Sequence, residues 1–157
     1  MFELSSEGQK AVKKELTRYE SKDSAIIPSL YIAQKENKGW VNSEVIKHLS
    51  LIMEIPESKI TEVFKFYTMF NQKPVGKHHV QVCTNISCAV NGSRELAHHI
   101  CKELGAKYDQ VTKDGRFTVS KVECLGSCGT APMMQVNDKY YENLTPESAM
   151  NILRGMK

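Results

Sequence analysis

The chain has 157 residues, 41% of them hydrophobic and 25% charged, with 21 Lys and Arg against 18 Asp and Glu. That is long enough to bury a real core in one or two domains and too ordinary for collagen-like, low-complexity or disordered classes. Through Val75 there are 11 basic and 10 acidic residues, and 10 and 8 beyond it, so no basic stripe supports a role in nucleic-acid binding.

The first 70 or so residues read as short helices. Ser6 with Gln9 three residues on fits a capping box, and Val12, Leu16 and Tyr19 follow at helical spacing. Ile26, Leu30 and Ala33 predict a second helix, ended by Asn37 and Gly39. Asn42 or Ser43 is placed to cap a third, whose Val45, Ile46, Leu49, Ile52 and Met53 share one face. Pro56 suits the first turn of a fourth, which carries Ile60, Val63, Phe64 and Tyr67. Pro74-Val75-Gly76 then punctuates the chain, and the pattern changes.

Val80-Gln81-Val82 reads as a strand running into Cys83. Asn91-Gly92-Ser93 turns into a helix with Leu96, Ala97, Ile100, Cys101 and Leu104 on its apolar face, stopped by Gly105. Asp114-Gly115 is a turn, and Phe117, Val119 and Val122 mark a second strand. Residues 133–136 and 139–141, around Asn137-Asp138, read as a hairpin. Thr145 caps a last helix with Pro146 in its first turn and Ala149, Ile152 and Leu153 turned inward. The expected fold class is α+β: a small helical bundle over residues 1–74, then a thioredoxin-like α/β domain over 75–157. Its first two strands are joined by a crossover and followed by an antiparallel pair.

All five cysteines lie between Cys83 and Cys128, and the first 82 residues contain none. Secreted disulfide scaffolds are shorter and spread their cysteines to staple the ends. Four of the five form two hooks, Cys83-Thr-Asn-Ile-Ser-Cys88 and Cys124-Leu-Gly-Ser-Cys128, each following a predicted strand. Small or polar residues (Thr84, Asn85, Ser87, Gly126, Ser127, then Gly129) let backbone N–H groups approach anionic sulfur. Structural zinc takes four thiolates but prefers tighter C-x2-C hooks. A redox disulfide wants C-x-x-C at a helix start, and none occurs. A binuclear iron–sulfur centre needs two ligands on each iron and tolerates wider hooks. Spacing leaves zinc and iron–sulfur both open and favours the second.

The stretch Val82-Cys83-Thr84-Asn85-Ile86-Ser87-Cys88 with Glu123-Cys124-Leu125-Gly126-Ser127-Cys128-Gly129-Thr130-Ala131-Pro132-Met133 resembles the thioredoxin-like [2Fe-2S] ferredoxin family. Within it, the likeness is to the E-type subunits of NADH-quinone oxidoreductase, respiratory complex I. Phe66-Tyr67-Thr68-Met69-Phe70, Lys73-Pro74-Val75-Gly76-Lys77 and the region from Ile27-Pro28 to Gly39-Trp40 resemble it too, so the likeness covers nearly the whole chain and is weakest over the first 20 residues. The resemblance implies one [2Fe-2S] cluster on Cys83, Cys88, Cys124 and Cys128 and single-electron exchange with FMN. NADH and FMN are then expected on a partner subunit of the same complex. The enzyme is the assembly, and no catalysis is expected from this chain alone. A diaphorase subunit of a NAD-linked hydrogenase or formate dehydrogenase shares the same parts, and a zinc-stabilised interaction protein is the remaining reading.

The residues agree with a role without substrate chemistry of its own. No G-x-G-x-x-G or P-loop lysine motif occurs, and no Ser/His/Asp or paired-carboxylate set supports a hydrolase. An all-thiolate cluster is expected to have a low potential, on the order of −400 mV, raised by N–H donors or by Lys121. Cys101, on an apolar helix face, reads as core. His78-His79 and His98-His99 read as surface or edge residues, since four cysteines leave no need for Rieske-type ligands. Phe64, Phe66, Tyr67 and Phe70 suit either a docking surface or packing of the helical unit on the sheet domain. The most apolar run, at 49–55, is broken by Ser50 and Glu54 and falls short of a membrane span. With no signal or transit pattern, the chain is expected in the cytoplasm, without direct membrane insertion, peripheral to the inner membrane through its complex.

Overall fold

Helix α1 (Ser6–Leu16) starts at Ser5, whose hydroxyl accepts from the Gly8 N–H at 3.0 Å. Ser5 rather than Ser6 is therefore the cap. Glu36 fixes it there, its carboxylate accepting from both the Ser5 N–H and Oγ at 2.8 and 2.7 Å. The expected partner Gln9 instead donates its side-chain amide to Leu4 O at 3.1 Å. A 3-10 turn (Lys22–Ala25) leads straight into α2 (Ile26–Glu36), and the chain reverses through left-handed Lys38 and Gly39. Asn42 caps α3 (Ser43–Met53), accepting from the Val45 N–H at 2.9 Å. That helix ends at Glu54, also left-handed, and α4 (Glu57–Phe66) follows.

The apolar stripes of these four helices meet in one core that includes Val12, Ile26, Leu30, Leu49, Met53, Ile60 and Phe64. Gln34 zips the segment after α4 back onto it, donating to Met69 O at 3.2 Å and accepting from the Asn71 N–H at 2.7 Å. Phe64 and Phe70 are buried in this core, whereas Phe66 is 78% exposed, edge-on to Tyr67.

The computed structural model describes residues 2–156, and the chain divides into two compact units, Met1–Pro74 and Val75–Lys157. The second unit is built on β1 (His78–Cys83), a single turn of helix α5 (Ile86–Val90), α6 (Ser93–Leu104), β2 (Phe117–Val122), β3 (Met134–Val136), β4 (Lys139–Tyr141) and α7 (Pro146–Arg154). Its four strands are ordered β2-β1-β3-β4, with β1 parallel to β2 and antiparallel to β3, and β3 antiparallel to β4.

Val80, Val82, Phe117, Val119, Met134 and Val136 point to the face covered by α6 and α7 and share a core with Leu96, Ile100, Ala149 and Leu153. The alternate residues stand on the opposite face. There His79 is buried, its Nε2 2.9 Å from the Ser120 Oγ, which corrects the expectation of a surface or edge histidine. The cause is its strand: β1 is central, flanked on both sides. Cys83 is on this second face by the same alternation.

Candidate metal centre

Both thiol hooks arise where the parallel strands run out. Cys83 closes β1 directly opposite Val122, the last residue of β2, and the Thr84 N–H extends the ladder to Val122 O at 2.9 Å. Cys124 follows two residues later, so both hooks leave the sheet at one edge.

Asn85 caps the one-turn helix α5 by accepting from the Ile86 N–H at 2.7 Å, and that turn carries Cys88 back beside Cys83. The first hook also grips the second. Ser87 Oγ donates to Cys128 O at 3.0 Å, and Asn85 Nδ2 donates to Glu123 Oε2 at 2.9 Å. In the second hook Gly126 adopts φ +82°, a conformation that favours glycine. That turns its N–H onto Cys124 Sγ at 3.3 Å. Cys128 opens a 3-10 turn (Cys128–Thr130), and its Sγ is 3.8 Å from that of Cys124.

Cys83 and Cys88 are buried with Met133, and Leu125 and Ala131 pack against them; Cys124 and Cys128 are exposed. Burial pushes the Cys88 thiol up to about 11, and the neighbouring Cys83 adds to it against an opposing backbone hydrogen bond from Met133. The Cys128 thiol is also raised, chiefly by its contact with Cys124. Cys128 acts on Cys88, and Cys83 on Cys128, so the two hooks feel one another electrostatically. Among the described residues no cationic side chain contributes to either shift. A bound cation would offset the burial and the neighbouring thiols that raise Cys88 and Cys128.

Among the described residues no three or more His, Cys, Asp or Glu side chains gather closely enough to hold one metal ion. The sulfurs are disposed as pairs. Two thiols per hook, a backbone N–H on one sulfur and a dry shelf under the buried pair match what a two-iron, sulfide-bridged centre asks of its protein. A single zinc asks for four donors on one point.

The remaining cysteine is elsewhere. Cys101 lies in α6, within the core on the helix-covered face, where burial raises its thiol. Lys121 does not reach the hooks either: its Nζ sits 4.3 Å above the Tyr108 ring. Lys121 shares the face of Val119 and Val82 rather than that of Cys83.

Two residues that the sequence did not single out bind the second hook. Tyr140 Oη donates to Leu125 O at 2.8 Å. Glu142 Oε1 accepts from the hydroxyls of Ser127 and Thr130, the latter at 2.6 Å. These bonds hold the Glu142 carboxyl below its ordinary range, Ser127 first and Thr130 second. No spacing rule signals them, since both ties join segments separated by a hairpin.

Residues 12–157 match the family model described as thioredoxin-like [2Fe-2S] ferredoxin. The chain is similar to the E-type subunit of NADH-quinone oxidoreductase from Rickettsia bellii (strain RML369-C), 46% identical over 134 residues, covering 85% of this chain and 80% of the relative. It is also similar to the mitochondrial NADH dehydrogenase [ubiquinone] flavoprotein 2 of Dictyostelium discoideum, 39% identical over 158 residues, covering 99% of this chain and 64% of that one. Among solved structures, the NAD+-reducing [NiFe]-hydrogenase in the air-oxidized state has a similar fold. The TM-score is 0.68 at 21% identity, over 80% of this chain and 22% of that chain.

Proposed function

The chain belongs to the thioredoxin-like [2Fe-2S] ferredoxin family, and on that premise we propose that it is the electron-transfer subunit of an NADH-quinone oxidoreductase. Cys83 and Cys88 hold one iron of its single [2Fe-2S] cluster, and Cys124 and Cys128 hold the other. When bound, such a cluster takes up and releases one electron at a time at low potential. The observation that carries this reading is the pair of thiol hooks leaving one sheet edge at the ends of β1 and β2.

The chain's own residues do the holding. Ser87 and Asn85 lock the hooks together, Gly126 offers its N–H to sulfur, and Met133, Leu125 and Ala131 keep one side dry. The exposed second pair leaves the other side open for electron exchange. Curated relatives named as E-type subunits of NADH-quinone oxidoreductase, up to 46% identical, support a place in a larger NADH dehydrogenase assembly. They favour the quinone-linked complex over a NAD-linked hydrogenase, for which the likeness is one of fold at 21% identity.

The finer reading is that the partner binds NADH and FMN. In it residues 75–157 carry the cluster and residues 1–74 dock the partner. Exposed apolar side chains support partner contact on both units: Leu51 and Phe66 on the first, and Ile86 and Val90, 79% and 83% exposed, beside the first hook. No helix among the described residues is long and apolar enough to cross a membrane, and attachment to the inner membrane is proposed through the complex.

Anaerobic spectroscopy of the purified chain tests this. NADH or NAD+ alone should leave the visible bands of the oxidised or the pre-reduced chain unchanged, and NAD+ with the flavin-bearing subunit should reoxidise the pre-reduced cluster, the favourable direction for a low-potential centre. Bleaching by NADH in the flavin-free chain would overturn the assignment of NADH and FMN to a partner.

A further inference from the structure

Tyr140 and Glu142 meet the second hook at alternate positions. They are two residues apart in extended chain, so both project from one side of it. Their contacts, Leu125 O and the Ser127 hydroxyl, are likewise two apart and lie between Cys124 and Cys128. The ends of the hook are tied to the first hook through Glu123 and Cys128. Its middle is tied by Tyr140 and Glu142, and Glu142 also takes the Thr130 hydroxyl just beyond.

We propose that Glu142 is a positioning residue for the cluster, clamping the hook between Cys124 and Cys128 and lowering the potential at which the bound cluster accepts its electron. This rests on the ligand assignment above. Two effects act in the same direction. The carboxylate accepts the protons of the Ser127 and Thr130 hydroxyls, so neither is free to donate to a sulfur, and donors to sulfur raise a cluster's potential. Its negative charge, held on Ser127 next to Cys128, disfavours adding an electron to a site that is already anionic. Removing the charge should raise the equilibrium constant for one-electron reduction by up to about tenfold, or ~59 mV.

The test uses the full-length, cluster-loaded chain and compares Glu142→Gln, Glu142→Leu, Cys124→Ala and, as a control for a charge away from the hook, Glu147→Gln. Readouts are iron content, redox midpoint, EPR g-values and the rate of cluster loss to a chelator. Glu142→Gln should keep its iron and reduce more easily. Glu142→Leu should also shift the g-values and lose its cluster faster, and Glu147→Gln should match the parent. Parent midpoints and g-values in both Glu142 variants would overturn the clamp, as would an equal shift in Glu147→Gln. Parent iron content, midpoint and g-values in Cys124→Ala would instead overturn the ligand assignment on which the clamp depends.

Discussion

His79 lies four residues before Cys83 on the same strand, and its imidazole is buried against Ser120. Burial pushes its pKa below the ordinary 6.5, and Asp109 pulls weakly the other way. The folded chain therefore keeps this ring neutral while the unfolded chain protonates it. Its contribution to stability is complete above about pH 6.5 and is lost as pH falls from there toward the lowered folded value. The slope is at most about 1.4 kcal/mol per pH unit for one proton. The urea midpoint should thus fall between pH 7.5 and 5.5, and fall less in His79→Gln; equal slopes would show that the ring does not titrate with folding. The sequence read this residue as surface or edge because four paired cysteines leave no need for histidine ligands and adjacent histidines point in different directions. Only the sheet order makes β1 central. Cys101, by contrast, was legible as core from the stripe of Leu96, Ala97, Ile100 and Leu104.

At the scale of elements, Gly76 decides how β1 enters the sheet. Its N–H donates to Thr118 Oγ1 at 2.9 Å, and a Cβ there would stand 2.7 Å from the Phe117 carbonyl carbon and 2.8 Å from its nitrogen. Backbone on both sides cannot give way cheaply, so Gly76→Ala should cost about 1–3 kcal/mol, read as a lowered urea midpoint. An unchanged midpoint would mean that β1 and β2 separate there at little cost. Most elements were legible because each carries its own signal: Asn42 and Thr145 as caps, Gly105 as a stop, and Asn137-Asp138 as the hairpin turn. Helix α5 was not, because five residues are too few to show an apolar period. The ties from Tyr140 and Glu142 were not legible either, since they exist only once the hairpin has brought residues 140–142 beside the hook.

For the whole molecule, the change of pattern at Pro74-Val75-Gly76 coincides with the division into two compact units. The convergence of the hooks could be read in advance because each follows a strand, and neighbouring parallel strands end at one edge. Which pair is buried could not, because it depends on Met133, just before β3, arriving under Cys83 and Cys88. The central claim is that these four sulfurs hold two irons, and metal and acid-labile sulfide analysis of the purified chain tests it most directly, paired with EPR of the reduced protein. The expected result is about two irons and two sulfides per chain with an S = 1/2 signal, unchanged in Cys101→Ala and lost or badly distorted in Cys124→Ala. One zinc per chain with no labile sulfide, in protein made with ample iron, would contradict it.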